Sequence, residues 1–284
     1  MQTEHHPWSP AALRRQMSQL LVEDPPPIVT LHPEGAAPLA LLCEHASARL
    51  PRGCGASAAD MAWLHTHWGV DLGAAPLTAA LARRLDAPAF LGGVSRLLCD
   101  LNRPPAHPDL ARAEVEGARL ALNAPLHAHD QAAAEAARAA RVTAWHTPFH
   151  AAVEAGLAAR RGQLRLLFSV HTFTPLYLGQ PRSMGMGVLF DEHDALAEEL
   201  AAALEAGEAA APDGVEVVRN APWSGKDGLI YSPQRHGRAQ GLPYLELEVR
   251  QDLLEQDDQV ERIAGRVARA LRGLGLLRGA WPTA

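Results

Sequence analysis

The sequence predicts one α/β domain, a mixed twisted sheet flanked by helices on both faces. Three observations carry this expectation. Short apolar runs bounded by glycine, proline or polar residues recur at 28–31, 39–43, 89–91, 163–170, 188–190, 215–218 and 244–250. Helical patterns alternate with them, the usual signature of α/β architecture. The 284 residues, 48% hydrophobic, suffice for one large core, and no repeat, heptad pattern or low-complexity linker divides them.

In chain order, Ser9 is placed to cap a helix over 10–22 with Leu13, Met17, Leu20 and Leu21 on one face, ended by the prolines at 25–27. Residues 1–27 thus read as a helical appendage to a single domain spanning 1–284. Strands at 28–31 and 39–43 follow, separated by a Pro/Gly turn, and Pro51, Gly53 and Gly55 mark the next loop. Residues 61–68 read as a short helix carrying His65 and His67. A longer helix runs from Asp71 to Asp86 through Leu72, Leu77, Leu81 and Leu85, placing Asp71 in its first turn, where a carboxylate is most often a cap.

After the strand at 89–91, residues 95–104 would, if extended, turn Arg96, Leu98, Asp100 and Asn102 to one face. An Arg96–Asp100 ion pair is the structural alternative to a recognition surface there. Residues 104–125 read as an irregular excursion. An alanine-rich helix over 128–145 breaks near Pro148 and resumes to about residue 161, with His146 and His150 flanking the break in a pattern that is not HExxH. The strand at 163–170 ends on His171. A helix at 195–206, ended by Gly207, and a polar loop at 220–228 precede the last strand, 244–250, where Glu246, Glu248 and Arg250 alternate onto one face. A helix over 257–274 closes the chain.

Charge and composition narrow the function classes. A net charge of −6 and a pI near 6.1 argue against nucleic-acid or anionic-membrane partners. Three cysteines without a CxxC indicate neither a disulfide framework nor a cysteine metal site. No basic-then-apolar leader and no run of roughly 20 apolar residues is present, so the reading is a soluble cytoplasmic protein, monomer or small homo-oligomer.

Two apolar strands each ending at a histidine, His45 and His171, form a constellation that neither makes alone. Two histidines and a carboxylate, Asp71 or Glu44, compose a three-ligand zinc site with one open position, and Glu248 is available as a base. Hydrolysis of an amide follows as the reaction class. Nucleophile chemistry is poorer: there is no GxSxG, and Cys43 and Cys99 sit in apolar segments that disfavour a thiolate. Gly53-Cys54-Gly55 is a turn, not a phosphate-binding loop.

The segments CEHAS, HWGVDLGA, SRLLCDLNRP, HTPFH, SVHTFTP, NAPWSGKDG and GLPYLELEVRQDL, in this order over most of the chain, resemble the N-formylglutamate amidohydrolase family. The resemblance implies a phosphorylase/hydrolase-like fold and a zinc-dependent hydrolase, with one zinc per chain. It implies His45 and His171 as ligands and Glu248 as base. A carboxypeptidase-like site would want a Glu three residues after His45, where this chain has Ala48, and the cell-wall amidase pattern favours Asp71 over Glu44 as the acidic ligand. Adjacent residues at a strand end also point to opposite sides, which leaves Glu44 to orient a neighbouring group.

The implied substrate is N-formyl-L-glutamate, cleaved to formate and glutamate in one route of histidine degradation. Its carboxylates call for Arg96, Arg103 or Arg250, with Asn102 or Asn220 orienting the amide. His150 and His236 are candidates for supporting or oxyanion roles, and His67 for an alternative ligand. Two other readings stand beside this one: a zinc deacylase for a different N-acyl amino acid or peptide, and a non-catalytic binder of carboxylated ligands.

Overall fold

The computed structural model describes residues 20–206 and 215–282. Seven strands build one mixed sheet: β1 (Ile28–Leu31), β2 (Leu39–Cys43), β3 (Ala89–Gly92), β4 (Leu166–Phe173), β5 (Met186–Leu189), β6 (Val217–Arg219) and β7 (Tyr244–Arg250). Their spatial order is β6-β5-β7-β4-β2-β3-β1. Strands β7, β4, β2 and β3 run parallel, while β1 and β5 pair antiparallel with β3 and β7 at either side. From β2 the chain pairs first with β3 on one side and later with β4 on the other. That reversal opens a crevice beyond the C-terminal ends of β2 and β4, the usual place for a site in an open α/β sheet.

Among the described residues the α-helices are α1 (Ala58–Trp63), α2 (Ala74–Leu85), α3 (Gln131–Arg141), α4 (Thr147–Ala159), α5 (Asp194–Ala206), α6 (Tyr231–Gln240) and α7 (Asp257–Gly273). Alternation along the central strands explains how they cover the sheet. Leu39, Leu41 and Cys43 of β2, Leu166, Phe168 and Val170 of β4, and Leu245, Leu247 and Val249 of β7 form one apolar face, buried against α2, α5 and α7. Each buried leucine there contributes about 1.5–3 kcal/mol.

The opposite face changes character along the strands. Ala40, Leu42, Leu167 and Tyr244 begin it, packed with Phe149, Val153 and Leu157 of α4. Further along the same face come Ser169 and His171 on β4 and Glu246 and Glu248 on β7, with Glu246 paired to Ser169 and Glu248 to His171 in register. The apolar half fixes the register, and the register delivers the polar half to the crevice.

Several expectations are corrected. The helix expected over 10–22 falls mostly outside the described residues, as does Gly207; within them, Leu21–Val22 is a short strand parallel to Leu50–Pro51. Residues 95–104 are successive turns, not an extended segment, because the Ser95 hydroxyl accepts the Leu97 N–H and Asp100 accepts that of Asn102. No break separates α3 from α4: a π-helical segment, Val142–His146, joins them directly ahead of Pro148, and this local widening accommodates a residue that cannot donate to the helix ladder. Helix α6 is not foreseen, since Pro233 and Gly237 disguise it. Gly237 is required by packing, because a Cβ there would lie 2.2 Å from the Tyr244 ring.

Candidate active site

Asp71 reaches the crevice because it is not a helix cap. Helix α2 begins at Ala74 after Gly73, whose φ of 87° and contact with Leu254 leave no room for a side chain, and no side chain caps the helix. The Asp71 carboxylate is thus free to turn toward His171. His45 lies just past β2, and its carbonyl accepts the Asp71 N–H at 3.1 Å, tying the two segments together. His171 comes from within β4, two residues before that strand ends.

The three side chains converge. Asp71 Oδ2 lies 2.8 Å from His171 Nδ1 and 3.4 Å from His45 Nδ1, and the two Nδ1 atoms are 3.1 Å apart. The far nitrogens are each held by a carboxylate. His45 Nε2 is 2.7 Å from Asp100, and His171 Nε2 is 2.9 Å from Glu44, which also accepts from the Ser169 hydroxyl at 2.8 Å. A ring that donates its Nε2–H to a carboxylate presents a lone pair at Nδ1. Two such lone pairs and a carboxylate oxygen therefore face one point, an arrangement that calls for a cation. Among the described residues this is a group of three metal-type donors within 4.8 Å of one another, all buried.

The electrostatics point the same way. Burial alone would raise the Asp71 carboxyl, but the His45 and His171 imidazoles more than offset it and hold it below the usual range. Burial would likewise lower His171, yet Glu246, Asp71 and Glu44 lift it well above an ordinary imidazole. Asp100, despite burial, is held well down by Arg96 and His45. Arg96 donates to Asp100 at 2.9 Å and approaches Asp71 at 3.4 Å, so the Arg96–Asp100 ion pair expected from the sequence exists and braces the His45 partner.

Glu248 and Glu246 line the same cavity, whose volume is about 230 Å³. This is smaller than the roughly 300–1,000 Å³ of drug-sized sites and suits a small metabolite. Glu248 is buried with Oε2 lacking a hydrogen-bond partner, and burial raises its carboxyl well above the ordinary value. Burial also pushes Glu246 up, to about 7, and Asn102 donates to it at 3.2 Å. A buried carboxyl with a free oxygen beside a convergent donor set has the chemistry to exchange a proton.

Other expected residues fall into two sets. Arg96, Asn102, Arg103 and His67 line the cavity. His67 stands outside the three-donor group, its ring against Trp68. Arg250, His150, His236 and Asn220 do not line it. Arg250 turns away to Asp252 and to the carbonyls of residues 182–184. Asn220 braces its own loop by accepting from the Phe190 and Gly225 N–H groups. His150 is buried between His236, at 2.8 Å, and the Leu101 carbonyl. Cys43 and Cys99 are both pushed up to about 12 by burial, unsuited to act as nucleophiles.

Sequence reasoning missed the role of Asp100 as the His45 partner, and it missed Arg182, Tyr177 and Trp223 on the cavity wall. Gly179, with Tyr177 two residues before it and Arg182 three after, was the available signal for a site hairpin.

Residues 37–255 match the family model described as N-formylglutamate amidohydrolase. Among solved structures, the chain is similar to the gene product Atu2144 from Agrobacterium tumefaciens, with 30% identity, a TM-score of 0.73, and coverage of 86% of this chain and 94% of that one. It is also similar to the N-formylglutamate amidohydrolase from Ralstonia eutropha JMP134, with 18% identity, a TM-score of 0.61, and coverage of 89% and 97%. A search of curated proteins finds no match. Among the described residues, no helix is long and apolar enough to cross a membrane.

Proposed function

The chain belongs to the N-formylglutamate amidohydrolase family, and on that premise we propose that this amide hydrolase removes the formyl group from N-formyl-L-glutamate with a zinc ion held by His45, Asp71 and His171. The observation that carries the reading is the inward convergence of two imidazole nitrogens and a carboxylate oxygen, each imidazole backed by a carboxylate of its own. Two histidines and one carboxylate, with one position open, are the donor set of a catalytic zinc site. Asp100 and Glu44 behind the histidines fix their tautomers and raise their basicity.

When bound, zinc supplies Lewis acidity, lowering the pKa of water toward about 7 and polarising the scissile carbonyl. Glu248, with its free Oε2, takes a proton from the attacking water and returns it to the leaving nitrogen as the C–N bond breaks, giving formate and the free amine. Burial raises its carboxyl well above the ordinary value, which favours holding the proton between its two transfers. Glu246 stays behind His171, 3.5 Å from its Nε2, and is steadied by Asn102. Arg103 lines the cavity with a buried Nε that has no partner, and in this reading it receives the substrate α-carboxylate. Arg96 is committed to Asp100 and Asp71, so its role is to brace the ligands rather than to grip substrate.

The test is release of formate or amine from a panel of N-formyl and N-acetyl amino acids with zinc supplied. Turnover that is highest for N-formyl-L-glutamate supports the proposal. Turnover of a different acyl amino acid would move the substrate while keeping the chemistry, and no turnover across the panel would favour a binding role.

A further inference from the structure

Four arginines, Arg96, Arg103, Arg112 and Arg182, line the cavity. Their commitments differ. Arg96 is paired with two aspartates, and Arg112 approaches Asp109 at 3.5 Å while covering the Trp68 ring. Arg182 has no carboxylate within ion-pair distance among the described residues, and its side chain makes one weak hydrogen bond, to the Thr174 carbonyl at 3.5 Å. A guanidinium whose donors are unspent on a cavity wall is available to a ligand.

The position is nevertheless built. The guanidinium lies 4.5 Å from the Tyr177 ring, 4.9 Å from Trp223 and 5.6 Å from Phe173, so three aromatic faces hold it in place. The Arg182 N–H donates to the Pro175 carbonyl at 2.9 Å, closing the hairpin formed by Leu176–Tyr177 and Gln180–Pro181. From the end of β7, Arg250 donates to the carbonyls of Arg182, Ser183 and Met184 at 3.0, 2.9 and 3.3 Å. The segment is therefore clamped to the strand that carries Glu248. Such preorganisation reduces the entropic cost of seating a ligand.

Two uncommitted guanidinium groups, Arg103 and Arg182, fit a ligand with two anionic groups. Resting on the proposed amide hydrolysis, and with Arg103 assigned to the α-carboxylate, we propose that Arg182 is the specificity-determining residue that receives the side-chain carboxylate of an acidic N-acyl amino acid, and that Arg250 positions it through the 182–184 backbone. Stacked Arg forms a planar two-donor fork that matches a carboxylate and not a primary amide. A neutral isostere in the same place leaves the fork half satisfied, which is the strong form of discrimination.

The test compares kcat/KM for N-formyl-L-glutamate and N-formyl-L-glutamine in the zinc-supplied wild type, Arg182→Gln and Arg182→Lys. The wild type should prefer the glutamate compound by about tenfold or more, the scale of a charge-assisted contact. Arg182→Gln should bring that ratio to about one, chiefly by a rise in KM for the glutamate compound, and Arg182→Lys should fall between. Arg250→Gln should lower the same ratio more mildly. A ratio unmoved by Arg182→Gln and Arg182→Lys overturns the proposal. If the wild type cleaves neither compound, the amide-hydrolysis reading fails instead. Calorimetric titration of both compounds then decides the inference: loss of the binding preference in Arg182→Gln upholds it, and an unchanged preference overturns it.

Discussion

Two histidine clusters lie in this molecule, and they behave oppositely. In the first, His45 and His171 meet in a T-shaped arrangement with ring centroids 4.8 Å apart, each outer nitrogen is held by a carboxylate, and both open on the cavity. In the second, His146, His150 and His236 pack together, His146 to His150 at 4.2 Å and His150 stacked on His236 at 5.0 Å. There the nitrogens meet backbone carbonyls: His146 bonds that of Arg103 at 3.0 Å and His150 that of Leu101 at 3.1 Å. Carboxylates raise His171, whereas burial lowers His150 to about 2 and His236 to about 4. What gives an imidazole cluster chemistry is thus the charge behind it, not the number of rings. The second cluster pins the segment that presents Asn102 and Arg103, a structural service to the first.

The sharpest way to break this contrast is to remove one ring from each. His171→Ala should abolish bound metal and lower formate release by about 10³-fold or more, the scale of losing the activated water, while His150→Ala should leave metal content unchanged. Equal metal loss in both variants would erase the distinction. Next in size, Glu248→Gln should retain metal and lose about 10²–10⁴-fold in kcat, the range of general acid–base catalysis. Retained turnover would exclude Glu248 as the base. Asp100→Asn, which removes the charge behind His45, should weaken zinc affinity about 10–100-fold in competition with a chelator.

The smallest effect concerns stability. Burial depresses the His150 and His236 pKa values in the folded chain below the ordinary imidazole value of about 6.5, so on acidification the unfolded chain takes up protons first. Their contribution is complete above about pH 6.5 and is lost as pH falls through about 4 for His236 and toward about 2 for His150. Urea midpoints should fall between pH 7 and 4.5 in the wild type. His150→Asn, itself destabilised by about 1–3 kcal/mol, should show a shallower dependence, and an equal slope would assign the acid sensitivity elsewhere.

Legibility from the sequence followed the physics of each segment. Strands β2 and β7 carry uninterrupted or alternating apolar patterns, so their bounds and the inward direction of Glu246 and Glu248 were readable from the chain alone. His45 and His171 were legible as a pair, because two apolar runs each give way to a histidine, although β4 continues past His171 to Phe173. Asp71 was placed in a helical turn because sequence pattern does not reveal that Gly73, in a left-handed conformation, starts α2. Asp100 reads from the sequence as part of a recognition face or as an arginine partner, since its approach to His45 depends on turns over 95–104 that bring together residues 55 positions apart. Arg250 looked site-facing by alternation, but its long side chain turns back to the 182–184 carbonyls. Local pattern therefore reads what strands present, and contacts made by turns and long side chains escape it.

The convergence of His45, Asp71 and His171 supports the proposal that they hold one zinc for amide hydrolysis. It is tested most directly by stripping the protein with a chelator, adding zinc in steps, and following formate release from N-formyl-L-glutamate. No turnover in the stripped protein and a linear rise that saturates at one zinc per chain are expected; full activity without metal, or none at one equivalent, would exclude this role for the three residues.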